Sequence, residues 1–157
     1  EIFFNGKLNA RVNGECDFVD VRDVADVIYT ASLKKANGPF IISGHKIKLR
    51  ELFDNMREIA GFKSKPLVFA SWFVKIFLPL MEKSAAIRKI TPLFTRYSLY
   101  TLSTYCTFSH ELATAILDYH PRPIKDTIQD TALWLVDQKR VVNKKSIRYI
   151  LRKFKPL

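Results

Sequence analysis

The stretch CDFVDVRDVADVIYTAS, Cys16 to Ser32, decides how the rest of the chain is read. Phe18, Val19 and Val21 fit a short strand within DFVDV. Val24, Val27, Ile28 and Ala31 then recur at helical spacing, so one helix face packs inward. Asp23 stands at the join as the expected helix N-cap, because its carboxylate can accept orphan backbone N–H groups of the first turn. Arg22 lies between Asp20 and Asp23. The residues leave its role open: a pair with Asp20, a pair with Asp26, or a position facing a cleft. Surface pairs of this kind contribute little by themselves.

Reading outward, EIFFNGKLNARVNGE (1–15) is expected to be the end of a helix or a loop, broken by Gly6 and Gly14. On the other side, NGP (37–39) ends the first helix and FIISG (40–44) reads as a second short, buried strand. KLRELFDNMREIAGF (48–62) is an amphipathic helix with Leu49, Leu52, Phe53, Met56 and Ile59 on one face and Gly61 as its stop. PLVFA (66–70) is a third short strand. TPLFTRYSLYTLSTYCTF (91–108) reads as a loop leading to a short strand, and SHELATAILDY (109–119) as a helix capped by Ser109. After the turn HPRP, residues 124–138 form a final amphipathic helix with Ile124, Ile128, Leu133, Trp134 and Val136 on or near its buried face. Three short strands separated by helices imply an α/β body with too little sheet of its own.

The most apolar segment is SWFVKIFLPLMEKSAAI (71–87); between Leu67 and Met81 the only charge is Lys75. It falls about one turn short of the roughly 20 residues a spanning helix needs, and Pro79 interrupts it. A membrane span is not expected; a helix covering an apolar cavity and one touching a membrane surface are the readings left open. A chain of 157 residues, 48% apolar and 13% aromatic, is enough for one globular domain with a real core. It opens on Glu1 without a charged-then-apolar leader, so no signal peptide is expected; either an upstream portion was removed or the chain is one piece of a longer protein. Cys16 and Cys106 cannot make a disulfide framework, which fits a reducing compartment. His45, His110 and His120 lie far apart, and no cluster has zinc-site spacing, so no structural metal is expected.

The net charge of +11 is unevenly spread. Eight cations from Lys139 onward, with no acid after Asp137, leave +3 for residues 1–138. The chain is therefore divided into a body, 1–138, and a basic tail, 139–157. In the tail, Ile147, Ile150, Leu151 and Phe154 can share one helix face among Lys144, Lys145, Arg148 and Arg152. Such a helix could dock its apolar stripe on the domain, or lie on an anionic membrane through residues 140–157. Nonspecific nucleic-acid binding ranks last, because the body has no base-reading motif or stacking platform.

Three segments in this order resemble the C-terminal half of the extended short-chain dehydrogenase/reductase superfamily: DFVDVRDVADVIYTAS, then GPFIISG with KLRELFDNMREIAG, then FSHELATAILDYHPRPIKDTIQDTALWL. PLFTRYSLYTL is most similar to the branch containing 3β-hydroxysteroid dehydrogenases and dihydroflavonol reductases. The resemblance implies the C-terminal part of a Rossmann-type fold, helix-rich with a few short strands, that supplies part of a substrate pocket. The dinucleotide-binding half is absent: none of the five glycines makes the Gly-rich turn that lets a backbone approach a pyrophosphate. The family's catalytic Tyr-x-x-x-Lys would lie upstream of Glu1. The one such spacing here, YILRK at Tyr149–Lys153, sits in the tail and reads as coincidence.

The resemblance thus implies a parent that moves a hydride between NAD or NADP and a carbonyl or secondary alcohol. This chain alone is expected to bind no cofactor and to carry no catalytic residue. Its partners are a small-molecule substrate and the missing Rossmann half, and its expected location is cytoplasmic, or peripheral at a membrane. In nucleotide-sugar members an Arg typically precedes the strand and binds a diphosphate; Cys16 stands at that position. Losing that cation removes a charge-assisted contact of about 1.5–3 kcal/mol. With Trp72, Phe73, Phe77 and Leu80 expected on a notably apolar helix, this favours an uncharged, fairly hydrophobic substrate over a nucleotide sugar, whose epimerase or dehydratase is the alternative. Arg96, Tyr97, Trp72, Phe73 and Arg22 are the candidate substrate-binding residues; Arg96 could hold a substrate anion.

Overall fold

The structure, a computed structural model, describes residues 1–8, 10–63, 66–69, 78, 79, 83, 87, 95–104 and 107–154. Most of the apolar segment, including Trp72 and Phe73, lies outside the described residues, as does Cys106. Among those described, the chain is α/β and helix-rich, with a few short strands in two small sheets.

Strand β1 (Ala10–Val12) pairs in parallel with β4 (Leu67–Phe69), Val12 opposite Phe69. The opening stretch, expected to be helix or loop, therefore contains a strand. Strand β2 (Glu15–Phe18) pairs antiparallel with β3 (His45–Lys48), placing Cys16 opposite Ile47 and Phe18 opposite His45. FIISG was expected to form the second strand; instead the ladder begins only at His45. A strand needs a neighbouring strand for its backbone groups, and among the described residues none pairs with Phe40–Ser43, whose last carbonyl accepts the Tyr119 hydroxyl instead.

Helix α1 spans Val21–Leu33, and its N-cap is Asp20, not Asp23. The Asp20 carboxylate accepts the Arg22 backbone N–H at 2.9 Å while the Arg22 guanidinium holds it from the side. Asp20 can thus cap from a buried position, and Asp23 falls in the first turn, where a carboxylate favours the positive helix end. Helix α2 (Leu49–Ala60) ends as expected at Gly61, which takes φ 71° as a left-handed C-cap. The Tyr149 ring lies where a side chain at position 61 would be, a second reason for glycine there.

Helix α3 (Arg96–Ser103) occupies part of the stretch expected to be a loop and a strand. Its signal is a capping box: Thr95 Oγ1 accepts the Ser98 N–H at 3.1 Å, and Ser98 Oγ accepts the Thr95 N–H at 2.8 Å. Helix α4 (Glu111–Leu117) has His110 as its N-cap; Ser109 Oγ still accepts the Glu111 N–H at 3.3 Å. Helix α5 (Ile124–Asp137) buries Ile128, Ala132 and Leu135. Trp134, expected in the core, is instead 53% exposed, because it lies one residue off that inward row; the Arg140 guanidinium sits 5.7 Å from its ring.

Two-stranded sheets are marginal alone, so the helices hold this body together. In the main core Phe3, Phe4, Ile59, Ile128, Leu135 and Ile150 are buried together, with Phe3 edge-on to Phe53. The tail contributes to that core. Helix α6 (Lys144–Phe154) docks its apolar stripe on α2 and α5, with Ile150 fully buried and Ile147 and Phe154 packed against the cluster. A second cluster joins α1 to α4 through Val27, Ala113, Leu117 and Tyr119, with Phe40 and Ile42 packed on it.

Candidate functional site

Two features are built around the opening motif. The first is a charge network joining the start of α1 to HPRP and α5. Arg22 makes two bonds to Asp20, Nε to Oδ1 at 2.9 Å and Nη2 to Oδ2 at 2.7 Å, and a third from Nη1 to Asp130 at 2.6 Å. The Arg22 bonds hold the Asp20 carboxyl well below the usual carboxylate range; burial opposes them, and the Thr127 hydroxyl adds to them. Arg122 donates its backbone N–H to Asp23 Oδ2 at 3.0 Å and its Nε to Oδ1, and reaches Asp26 at 3.5 Å. His45 Nε2 lies 2.8 Å from the Arg122 carbonyl, which ties β3 to the same turn. Of the sequence alternatives for Arg22, the Asp20 pair forms; the pair with Asp130 was not foreseen, since 108 residues separate the two.

The second feature is a cavity of about 390 Å³ between β2 and α3, lined by Glu15, Cys16, Asp17, Tyr100, Leu102 and Phe108 together with Thr101 and Thr104. At Gly14 a Cβ would stand 2.9 Å from the carbonyl oxygen of Leu102, one of the lining residues; glycine lets the end of α3 close on the turn between β1 and β2. Asp17 is held by the Gly44 N–H at 2.8 Å, and Glu15 pairs with Lys46 at 3.2 Å. Burial, and then the Asp17 charge, push the Cys16 thiol up, so it stays protonated and uncharged at neutral pH.

Of the sequence candidates, Arg96 and Tyr97 stand on α3 one turn before the cavity wall, both exposed, and are not among its described lining residues. Arg22 is committed to its two carboxylates. Trp72 and Phe73 lie outside the described residues. Tyr100 and Phe108 do line the cavity, and the sequence alone did not single them out; once 96–103 is read as a helix, Tyr100 follows Tyr97 at i+3. The Tyr149–Lys153 pair is used in packing, with Lys153 bound to Glu58 at 3.4 Å. Gly6, Gly38 and Gly61 serve turns or a cap, while Gly14 and Gly44 allow close backbone approach. None opens a helix after a strand, so these residues do not fit a dinucleotide pyrophosphate. Among the described residues no group of three His, Cys, Asp or Glu side chains could hold a metal, and no helix is long and apolar enough to cross a membrane.

No family model matches this chain, and no curated protein matches it. The chain is similar to the crystal structure of gox2253, with a TM-score of 0.68 at 28% identity, over 89% of this chain and 43% of that one. It therefore spans less than half the length of that structure.

Proposed function

We propose that this chain is the substrate-facing half of an NAD(P)-dependent oxidoreductase of the extended short-chain type. The reaction moves a hydride between nicotinamide and a carbonyl or secondary alcohol on an uncharged, moderately hydrophobic substrate. The cavity between β2 and α3 carries this reading. Its described lining holds aromatic, aliphatic and hydroxyl groups with two carboxylates and neither Lys nor Arg. A diphosphate there would meet Glu15 and Asp17, with a neutral thiol at Cys16 where the resemblance places a cation. The three motif segments support the family assignment behind it, and the likeness to gox2253 over 89% of the chain supports no more than the α/β fold. The test is titration of NAD(H) and NADP(H) into residues 1–157 and into the protein at its native length, followed by turnover of apolar ketones, aldehydes and UDP-sugars. Dinucleotide binding by the longer form alone, with turnover of apolar carbonyls, is the expected result. Turnover of UDP-sugars instead would replace it with an epimerase or dehydratase.

A second reading rests on α6. With its apolar stripe docked, Lys144, Lys145, Arg148 and Arg152 face outward beside a groove of about 550 Å³ that Trp134, Leu151 and Phe154 help to line. That combination suits an anionic membrane surface, where each nearby cation adds about 1 kcal/mol. Salt-sensitive co-sedimentation with phosphatidylserine vesicles, lost on Arg148→Glu with Arg152→Glu, is the expected outcome; no binding to those vesicles removes the reading.

A further inference from the structure

The groove between α5 and α6 sets an apolar wall beside positive charge left unpaired among the described residues. Its volume is about 550 Å³, inside the roughly 300–1,000 Å³ of small-ligand sites. Leu133, Trp134 and Val136 line it from α5, and Leu151 and Phe154 from α6. Trp134 is the most open of these, because the inward row of α5 runs through Ile128, Ala132 and Leu135. An indole half in water among aliphatic neighbours is a surface for a hydrocarbon chain.

Local geometry places the charge. Helix α5 ends in a Schellman turn: the Lys139 N–H bonds the Val136 carbonyl at 3.0 Å and the Arg140 N–H the Leu135 carbonyl at 2.9 Å. Lys139 takes the left-handed position of that turn, φ 55°, and lines the groove. On α6, Lys144, Arg148 and Leu151 follow at i, i+4 and i+7 on one stripe, so Arg148 stands one turn from the Leu151 wall. Among the described residues Lys139, Lys144 and Arg148 make no ion pair, whereas Arg140 reaches Glu1 at 3.8 Å and Lys153 reaches Glu58 at 3.4 Å. Asp137 is the one carboxylate of the described lining, and the Gln138 amide donates to it at 3.3 Å.

We propose that this groove binds one molecule of a long-chain anionic amphiphile, with its alkyl chain against Trp134, Leu151 and Phe154 and its carboxylate or phosphate head drawn to Lys139, Lys144 and Arg148. The apolar wall accepts hydrocarbon of any kind, and the unpaired cations select the sign of the head. Asp137 repels such a head, so the head belongs on the α6 side, where Lys144 and Arg148 stand together. The inference goes beyond the membrane reading of α6 and does not need it. Leu133, Val136, Leu151 and Phe154 are partly buried and set back in a concavity, which a single chain enters and a flat bilayer surface does not reach.

Fluorescence quenching on the full chain carrying Trp72→Phe, which leaves Trp134 as its one indole, tests this. Dibromostearate below its micelle concentration is expected to quench Trp134 saturably at one molecule per chain, with decanoate displacing it and decanol not. Lys139→Glu with Arg148→Glu should weaken binding about tenfold or more, and Asp137→Asn should tighten it about twofold. All three positions are exposed, and circular dichroism checks that each variant folds. Displacement by decanol as readily as by decanoate overturns the proposal, because the charge then selects nothing. Unchanged affinity in the charge-reversed variant also overturns it; if that variant does not fold, unchanged affinity in Asp137→Asn does so. Quenching by brominated phosphatidylserine vesicles but not by the monomer overturns it and leaves the membrane reading in place. Saturable quenching by the monomer without vesicle binding supports it and removes the membrane reading.

Discussion

Arg122 closes on Asp23 with two bonds, its backbone N–H and its Nε each reaching a different oxygen of one carboxylate 99 residues earlier in the chain. This clamp joins DVRDVA to HPRP, and through the Arg122 carbonyl it reaches His45 on β3. Asp23 is buried and Arg122 is 28% exposed on its side chain, so the pair is only partly screened by solvent. Replacing Arg122 by Ala leaves a buried carboxylate with its main partner gone. Urea unfolding of Arg122→Ala should show a loss of about 2 kcal/mol with an unchanged slope, well short of a fully buried pair because of that exposure. A loss under about 0.5 kcal/mol would mean the clamp forms without stabilising the fold.

Asp20 makes stability depend on pH in a stated direction. Its folded pKa lies below the unfolded value, so the folded state holds fewer protons on it. Its contribution is complete at neutral pH and is lost as pH falls below about 4 toward the depressed folded value. Asp20→Asn should flatten the acid limb of the stability curve, and Asp20→Ala should also remove the α1 cap, at about 1–2 kcal/mol. Thermal melts between pH 3 and pH 7 measure both; parallel curves for the parent and Asp20→Asn would exclude Asp20 as the source of the limb.

Gly44 packs against the Phe18 carbonyl so closely that any Cβ there would overlap the carbonyl oxygen. Backbone on both sides of the β2–β3 ladder would have to move, so Gly44→Ala is expected to destabilise by about 3 kcal/mol or more. Gly38→Ala, which meets no neighbour but sits at φ 112°, should cost about 1–2 kcal/mol from backbone strain alone. If the two variants melt together, the close approach at Phe18 is not what selects glycine at 44.

The Cys16 thiol, pushed up by burial and by Asp17, should alkylate more slowly than free cysteine. In a Cys106→Ser background, iodoacetamide at pH 8 is expected to label Cys16 several-fold more slowly than free cysteine, about threefold or more. Labelling at the free-thiol rate would contradict the protonated, half-buried state that makes this wall of the cavity neutral.

Ile150 is fully buried within the main core although it belongs to the basic tail. Ile150→Ala should therefore cost about 2–4 kcal/mol, while Arg148→Ala, on the outward face, should stay within about 0.5 kcal/mol. Two near-neutral variants would return the tail to a solvated helix.

The amphipathic helices were legible in the sequence because their burial is periodic and locally encoded. Leu52, Phe53, Met56 and Ile59 pack against one core, with Gly61 ending the helix where expected. Helix 96–103 was missed because its start depends on a reciprocal Thr95–Ser98 pair rather than on an apolar stripe. The cap of α1 was placed at Asp23 because the motif shows two aspartates and only geometry chooses between them. Asp20 takes the Arg22 N–H while the Arg22 guanidinium grips it, and Asp23 is drawn inward by Arg122 from the far end of the chain. The helical spacing places Trp134 on or near the buried face of α5; one residue's rotation puts Leu135 there instead.

What the sequence determined alone was the amphipathic helices at 49–60 and 124–137, the apolar stripe of the tail and the neutral residue at position 16. Tertiary structure decided the rest: which carboxylate Arg122 grips, that the tail stripe enters the core, and that Tyr100 and Phe108 share a cavity with Cys16. FIISG shows why the division falls there. Its pattern encodes a strand, but a strand is completed only by hydrogen bonds to another segment, and no local sequence can supply its own neighbour.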